Sequence, residues 1–130
     1  HDLMVYASEK LTAIEHVKLI GTAKNKASVV SFIIDGVNAL DAGMYLDTLG
    51  IAVRTGHHCT QPVMDRLCIP GTIRASFMFY NTFEEIDGMV EGVKKAINLL
   101  RKWLQIIFKI LFLIHNLLFQ ESEFVNQCCK

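Results

Sequence analysis

The sequence predicts a two-layer α/β domain in which helices cover a small, largely antiparallel four-stranded sheet. Three observations predict it. Hydrophobic patterns follow one another in the order helix, two strands, helix, two strands, helix. Glycine, proline or polar turn residues separate them. The chain has 130 residues, 52% of them hydrophobic, enough for one packed core.

Each element has its own signal. Residues 1–15 read as a helix, because Leu3, Met4, Ala7, Leu11 and Ile14 fall near one face. Val17 to Ile20 forms a short strand that stops at Gly21, and Thr22 to Lys26 is polar and turn-like. Ala27 to Ile34, dense in Val and Ile, suits a central strand. Asn38 can cap the next helix, with Asp41 in its first turn against the dipole. That helix carries Leu40, Met44 and Leu46 and ends at Gly50. Ile51 to Arg54 is the third strand. Gln61-Pro62 opens a short helical turn through Leu67, closed by Pro70-Gly71. The fourth strand is Thr72 to Tyr80, with Ile73, Ala75, Phe77 and Phe79 on one face and Arg74, Ser76, Met78 and Tyr80 on the other. Thr82 and Glu85 then form a capping box for a long helix, whose core face is Ile86, Val90, Val93, Ile97 and Leu100.

Composition narrows the function. Thirteen basic and thirteen acidic residues cancel, which gives no support for a nucleic-acid partner. The cysteines, Cys59, Cys68, Cys128 and Cys129, are irregularly spaced. With no signal peptide, this argues for reduced thiols in a cytoplasmic setting. Cys68, beside Leu67 and Ile69, reads as core. The chain opens on His1 inside an expected helix and without Met, and so reads as a piece of something larger.

Residues 103–130 do not fit the plan of residues 1–102. Trp103 to Phe119 is almost wholly apolar, interrupted by Gln105, Lys109, His115 and Asn116. This run, with a lysine near its middle, falls short of the ~20 residues that span a bilayer. Three readings fit the tail: a buried or dimer-forming helix, a membrane-surface helix, or an unselected product of a gene break.

The chemistry concentrates in Arg54-Thr55-Gly56-His57-His58-Cys59, with Arg74 farther on. Gly56 frees the backbone as the third strand ends, so Cys59 is expected on a mobile loop. A thiol reacts as its thiolate, which nearby positive charge favours, and Arg54, His57 and His58 are close in sequence. The bland reading is a small buried hydrophobe, as most free cysteines are. A metal site from His57, His58 and Cys59 is disfavoured, because three consecutive residues rarely converge on one ion and no second ligand pair stands at zinc spacing.

Residues 50–59, Gly-Ile-Ala-Val-Arg-Thr-Gly-His-His-Cys, then Gln61-Pro62-Val63-Met64, Arg74-Ala75-Ser76, Tyr80-Asn81-Thr82 and Glu84-Glu85-Ile86-Asp87, resemble the C-terminal domain of SufS-type cysteine desulfurases. These are class V, fold-type I, pyridoxal-phosphate-dependent enzymes, a group that includes selenocysteine lyases. The similarity runs from about residue 1 to about residue 102. It implies that Cys59 is the nucleophile that attacks the sulfur of a cysteine held on the cofactor, giving alanine and a persulfide for iron–sulfur cluster assembly. Arg74 matches the arginine that pairs with the substrate carboxylate, and Arg54 a second, supporting arginine. His57 and His58 match paired histidines that tune the site and place the loop.

The resemblance also implies L-cysteine or L-selenocysteine as substrate, a SufE-like sulfur acceptor and a homodimer of the full-length protein. The departures matter as much. The cofactor lysine and phosphate-binding groups belong to a preceding large domain; Lys24 and Lys26 match nothing of that kind. Thr60 stands where alanine is common, and the family pattern ends near Arg101. The isolated chain is therefore expected to be an inactive fragment. The alternative is a non-catalytic module that docks a sulfur acceptor or a desulfurase subunit.

Overall fold

The computed structural model describes residues 1–21, 23 and 25–127, with side chains described to residue 115 except at 104. Thr22 and Lys24 of the expected turn, and the terminal Cys128 and Cys129, lie outside the described residues. The elements are α1 (Asp2–Thr12), β1 (Val17–Ile20), β2 (Val29–Ile34), α2 (Ala39–Thr48), β3 (Arg54–Gly56), α3 (Gln61–Leu67), β4 (Thr72–Ser76) and α4 (Phe83–Gln127). The chain divides into two compact units, residues 1–100 and 101–130.

In the first unit the strands form one sheet in the order β1-β2-β4-β3, antiparallel throughout. The fold is the α/β arrangement predicted from the sequence. Strict alternation in β2 explains its central place. Val30, Phe32 and Ile34 are buried, while Val29, Ser31 and Ile33 are only partly so. The register sets Phe32 opposite Ile73 and Val30 opposite Ala75, so the buried side chains of two strands form one apolar face. Met4, Ala7 and Leu11 of α1, Ala42 and Leu46 of α2, and Ile86, Met89, Val90, Val93 and Ile97 of α4 complete that core. Burying Phe32 or Ile73 fully is worth about 1.5–3 kcal/mol each. The same register aligns Ser31, Arg74 and Arg54 on the other face.

The helix starts follow their caps. Asn38 Oδ1 accepts a hydrogen bond from the Leu40 amide at 2.8 Å. The capping box at α4 is formed in both directions: the Thr82 amide donates to Glu85 Oε2 at 3.0 Å and the Glu85 amide to Thr82 Oγ1 at 3.3 Å.

The structure corrects several expectations. The third strand is Arg54–Gly56 rather than residues 51–54, because the Ile51 amide bonds the Leu46 carbonyl at 3.0 Å and ties that stretch to the end of α2. The fourth strand ends at Ser76. Beyond it the Met78 amide donates to Asn81 Oδ1 at 2.8 Å, and the resulting turn leaves Phe79 95% exposed instead of on the core face. Cys68 is exposed, not core, since it caps α3 in the left-handed conformation with φ 53°. Leu40 and Met44 of α2 are exposed; Ala42 and Leu46 make its core face.

In the second unit α4 continues through residue 127. Residues 103 and 105–115 are exposed, among them Trp103, Phe108 and Phe112. Among the described residues no helix is long and apolar enough to cross a membrane.

Candidate active site

The site is built where β3 meets β4. Arg54 and Arg74 are directly paired across the ladder, so two guanidinium groups leave neighbouring strands on the same face. Like charges placed opposite one another destabilise a sheet unless something negative joins them. Arg74 is half-buried, and its Nε is buried without a hydrogen-bond partner. A buried, unpartnered donor on a cation marks a place for an anion.

Two glycines let the strands close at this end. A Cβ on Gly71 would lie 3.1 Å from the Cα and carbonyl carbon of Gly56, a distance backbone atoms cannot yield. The chain then turns through His57-His58-Cys59-Thr60. His58 and Cys59 have φ of 53° and 61°, and the Thr60 amide donates to the His57 carbonyl at 2.9 Å. Two consecutive positive φ values closed by this hydrogen bond are the features of a type I′ turn. Neither residue is glycine, so each pays roughly 1 kcal/mol or more for the left-handed conformation. Thr60 Oγ1 adds a second bond to the His57 carbonyl at 2.6 Å, which braces the turn. Cys59 is exposed at its tip.

His58 points back to the sheet. Its Nε2 lies 2.9 Å from Thr72 Oγ1 and 3.2 Å from the Thr72 carbonyl oxygen. Burial holds its pKa below the ordinary histidine value, helped by the positive charge of Arg74 and Arg54 and by His57, against an opposing hydrogen bond that the ring donates to the Thr72 carbonyl. Burial and the neighbouring charges both favour the neutral ring of His58.

The structure thus brings Arg54, Arg74 and His58 onto one sheet end, with His57 and Cys59 exposed on the turn above. Sequence reasoning missed Thr72. The available signal was its spacing of two from Arg74, which puts both on the same strand face. Among the described residues, no group of three His, Cys, Asp or Glu side chains could hold a metal ion.

A family model described as aminotransferase class V matches residues 1–89. The chain belongs to that family. A probable cysteine desulfurase of Mycolicibacterium paratuberculosis is 52% identical over 95 residues, 73% of this chain and 14% of the relative. The fold matches the cysteine desulfurase CsdA of Escherichia coli with a TM-score of 0.70 and 33% identity, covering 76% of this chain and 24% of that one. The apo cysteine desulfurase of Thermococcus onnurineus matches with a TM-score of 0.71 and 38% identity, covering 75% and 25%. The chain therefore spans about a quarter or less of the class V relatives it matches.

Pyridoxal phosphate, the cofactor this class V family implies, does not fit the residues at this site. Residues 27–93, which contain β2, β3, β4 and the whole turn, include no lysine. Of the lysines elsewhere, Lys10 pairs with Asp87 and Lys94 with Glu91.

Proposed function

We propose that residues 1–102 are the small C-terminal domain of a cysteine desulfurase, and that 103–130 is an apolar tail outside the family pattern. In this reading Cys59 is the nucleophile and Arg74 the carboxylate clamp. Arg54 supports the clamp, and His57 and His58 place and tune the loop. The observation that carries the reading is the pairing of Arg54 with Arg74 beside an exposed cysteine on a braced turn. Two guanidinium groups on adjacent strands suit the α-carboxylate of an amino-acid substrate, which a planar guanidinium grips with two parallel hydrogen bonds.

The chemistry divides between this chain and what it lacks. The Cys59 thiolate attacks the substrate sulfur, an S–S bond forms and the substrate C–S bond breaks. The electron pair goes to the substrate carbon, which takes a proton to become alanine, and Cys59 keeps the sulfur as a persulfide. Stabilising that electron pair is work for which the residues of this site have no group. The exposed position of Cys59 supports delivery of the sulfur to an acceptor of the SufE type, as the first step of iron–sulfur assembly in the cytoplasm. L-Cysteine is the substrate, with selenocysteine as its analogue, and the full-length protein works as a homodimer.

The isolated chain should neither bind pyridoxal phosphate nor release alanine from cysteine. Incubating the purified chain with both, and measuring bound cofactor by absorbance and alanine by mass spectrometry, tests this. Cofactor binding with alanine release would overturn the division of labour.

A further inference from the structure

Thr72 is 1% exposed and is the one buried polar residue among the described core positions. Its strand partner is Gly56, which has no side chain, so the space above Thr72 is open to the His58 ring. A carbonyl oxygen can only accept a hydrogen bond, and it lies 3.2 Å from His58 Nε2. A lone pair on Nε2 would be repelled there, so Nε2 carries the proton and shares it between the Thr72 carbonyl and the hydroxyl at 2.9 Å. In the neutral ring the lone pair is then on Nδ1. That atom is buried and has no hydrogen-bond partner. Buried nitrogens are rarely left so unless the site needs them.

We propose that Thr72 is a positioning residue that fixes His58 as the neutral Nε2–H tautomer, which keeps Nδ1 as the proton acceptor of the site. The low pKa of His58 agrees, since burial and the facing charges of Arg74 and Arg54, with neighbouring His57, all keep the ring neutral. The tautomer follows from the Thr72 geometry alone; the use of Nδ1 as a base rests on the desulfurase reading of the site.

The 130-residue chain labelled with nitrogen-15 histidine gives the tautomer directly from long-range proton–nitrogen correlations, with His58 assigned by its loss in His58→Gln. The expected result is an Nε2–H pattern and a titration midpoint below the ordinary value of about 6.5. Thr72→Val puts a methyl where the hydroxyl now lies 2.9 Å from Nε2. It should push the ring off the carbonyl and mix the tautomers, while Thr72→Ser should keep the wild-type pattern. An Nδ1–H tautomer in the wild type would overturn the proposal whether or not Thr72→Val folds. So would a folded Thr72→Val with an unchanged His58 signal.

The base role has its own readout, in a complete desulfurase whose C-terminal part is replaced by residues 1–102. There Thr72→Val should lower kcat by roughly tenfold or more with KM little changed, and Thr72→Ser should restore it. An unchanged kcat would remove the base role. Absence of turnover in the unsubstituted chimaera would count against the desulfurase reading while leaving the tautomer result intact.

Discussion

Arg54 and Arg74 stand opposite one another across the β3–β4 ladder, two cations in register with no acidic residue paired to either on those strands. A fold gains nothing from that arrangement. Replacing Arg54 by Gln should therefore leave stability unchanged or raise it by about 0.2–1 kcal/mol in urea unfolding. Arg74→Ala in an active chimaera should raise KM for cysteine roughly ten- to a hundredfold, matching the ~1.5–3 kcal/mol of a charged hydrogen bond. An unchanged KM would remove Arg74 from the substrate clamp.

Gly71 is held by its neighbour as well as by its own backbone, which has φ of 157°. A Cβ there meets Gly56 Cα and C at 3.1 Å and O at 3.2 Å, all backbone atoms. Gly71→Ala should cost about 1–3 kcal/mol of stability, as overpacking does. The β3–β4 end would open, so the His58–Thr72 contact should weaken with it. Denaturant midpoints and the His58 tautomer signal would report both effects.

The start of α4 carries a pH signature. Hydrogen bonds from the Asn81 side chain and the Thr82 amide hold the Glu85 carboxyl below its usual range. A depressed folded-state value means its contribution is fully present above the unfolded carboxylate pKa. It is lost as pH falls through the lower folded value. Glu85→Gln should flatten stability over that acidic window, read by melting across pH. Thr82→Ala, which removes the reciprocal partner, should cost about 1 kcal/mol at neutral pH.

The buried core residues among those described all lie between Met4 and Ile97. A chain ending at Lys102 should therefore fold, with a melting temperature within a few degrees of the full chain. It should also self-associate less, because Trp103, Phe108 and Phe112 are exposed apolar surface. Loss of cooperative unfolding on truncation would show that the tail belongs to the fold.

Much of this was legible in the sequence because local signals agreed. The capping box, the alternation through Phe77 and the spacing of Ile86, Val90, Val93 and Ile97 each point to one element and one face. The failures came where a tertiary or turn contact overrode the local pattern. Ile51 and Val53 alternate like a strand, yet the Leu46 carbonyl captures the Ile51 amide. Phe79 continues the β4 alternation, yet Asn81 turns the chain two residues earlier. Cys68 sits in an apolar run, yet it caps α3 with a left-handed backbone that exposes it. In the site, the residue types around Cys59 were readable, but pairing Arg54 with Arg74 and His58 with Thr72 required the sheet register.

The central claim is that Cys59 accepts the sulfur. The most direct measurement grafts residues 1–102 onto the large domain of a complete cysteine desulfurase such as that of Thermococcus onnurineus. The chimaera is supplied with cysteine, and the peptide containing Cys59 is examined by mass spectrometry beside alanine release. One added sulfur on Cys59, with both signals lost in Cys59→Ser, is the predicted result. A folded, cofactor-loaded Cys59→Ser chimaera that still turns cysteine into alanine at the normal rate would contradict it.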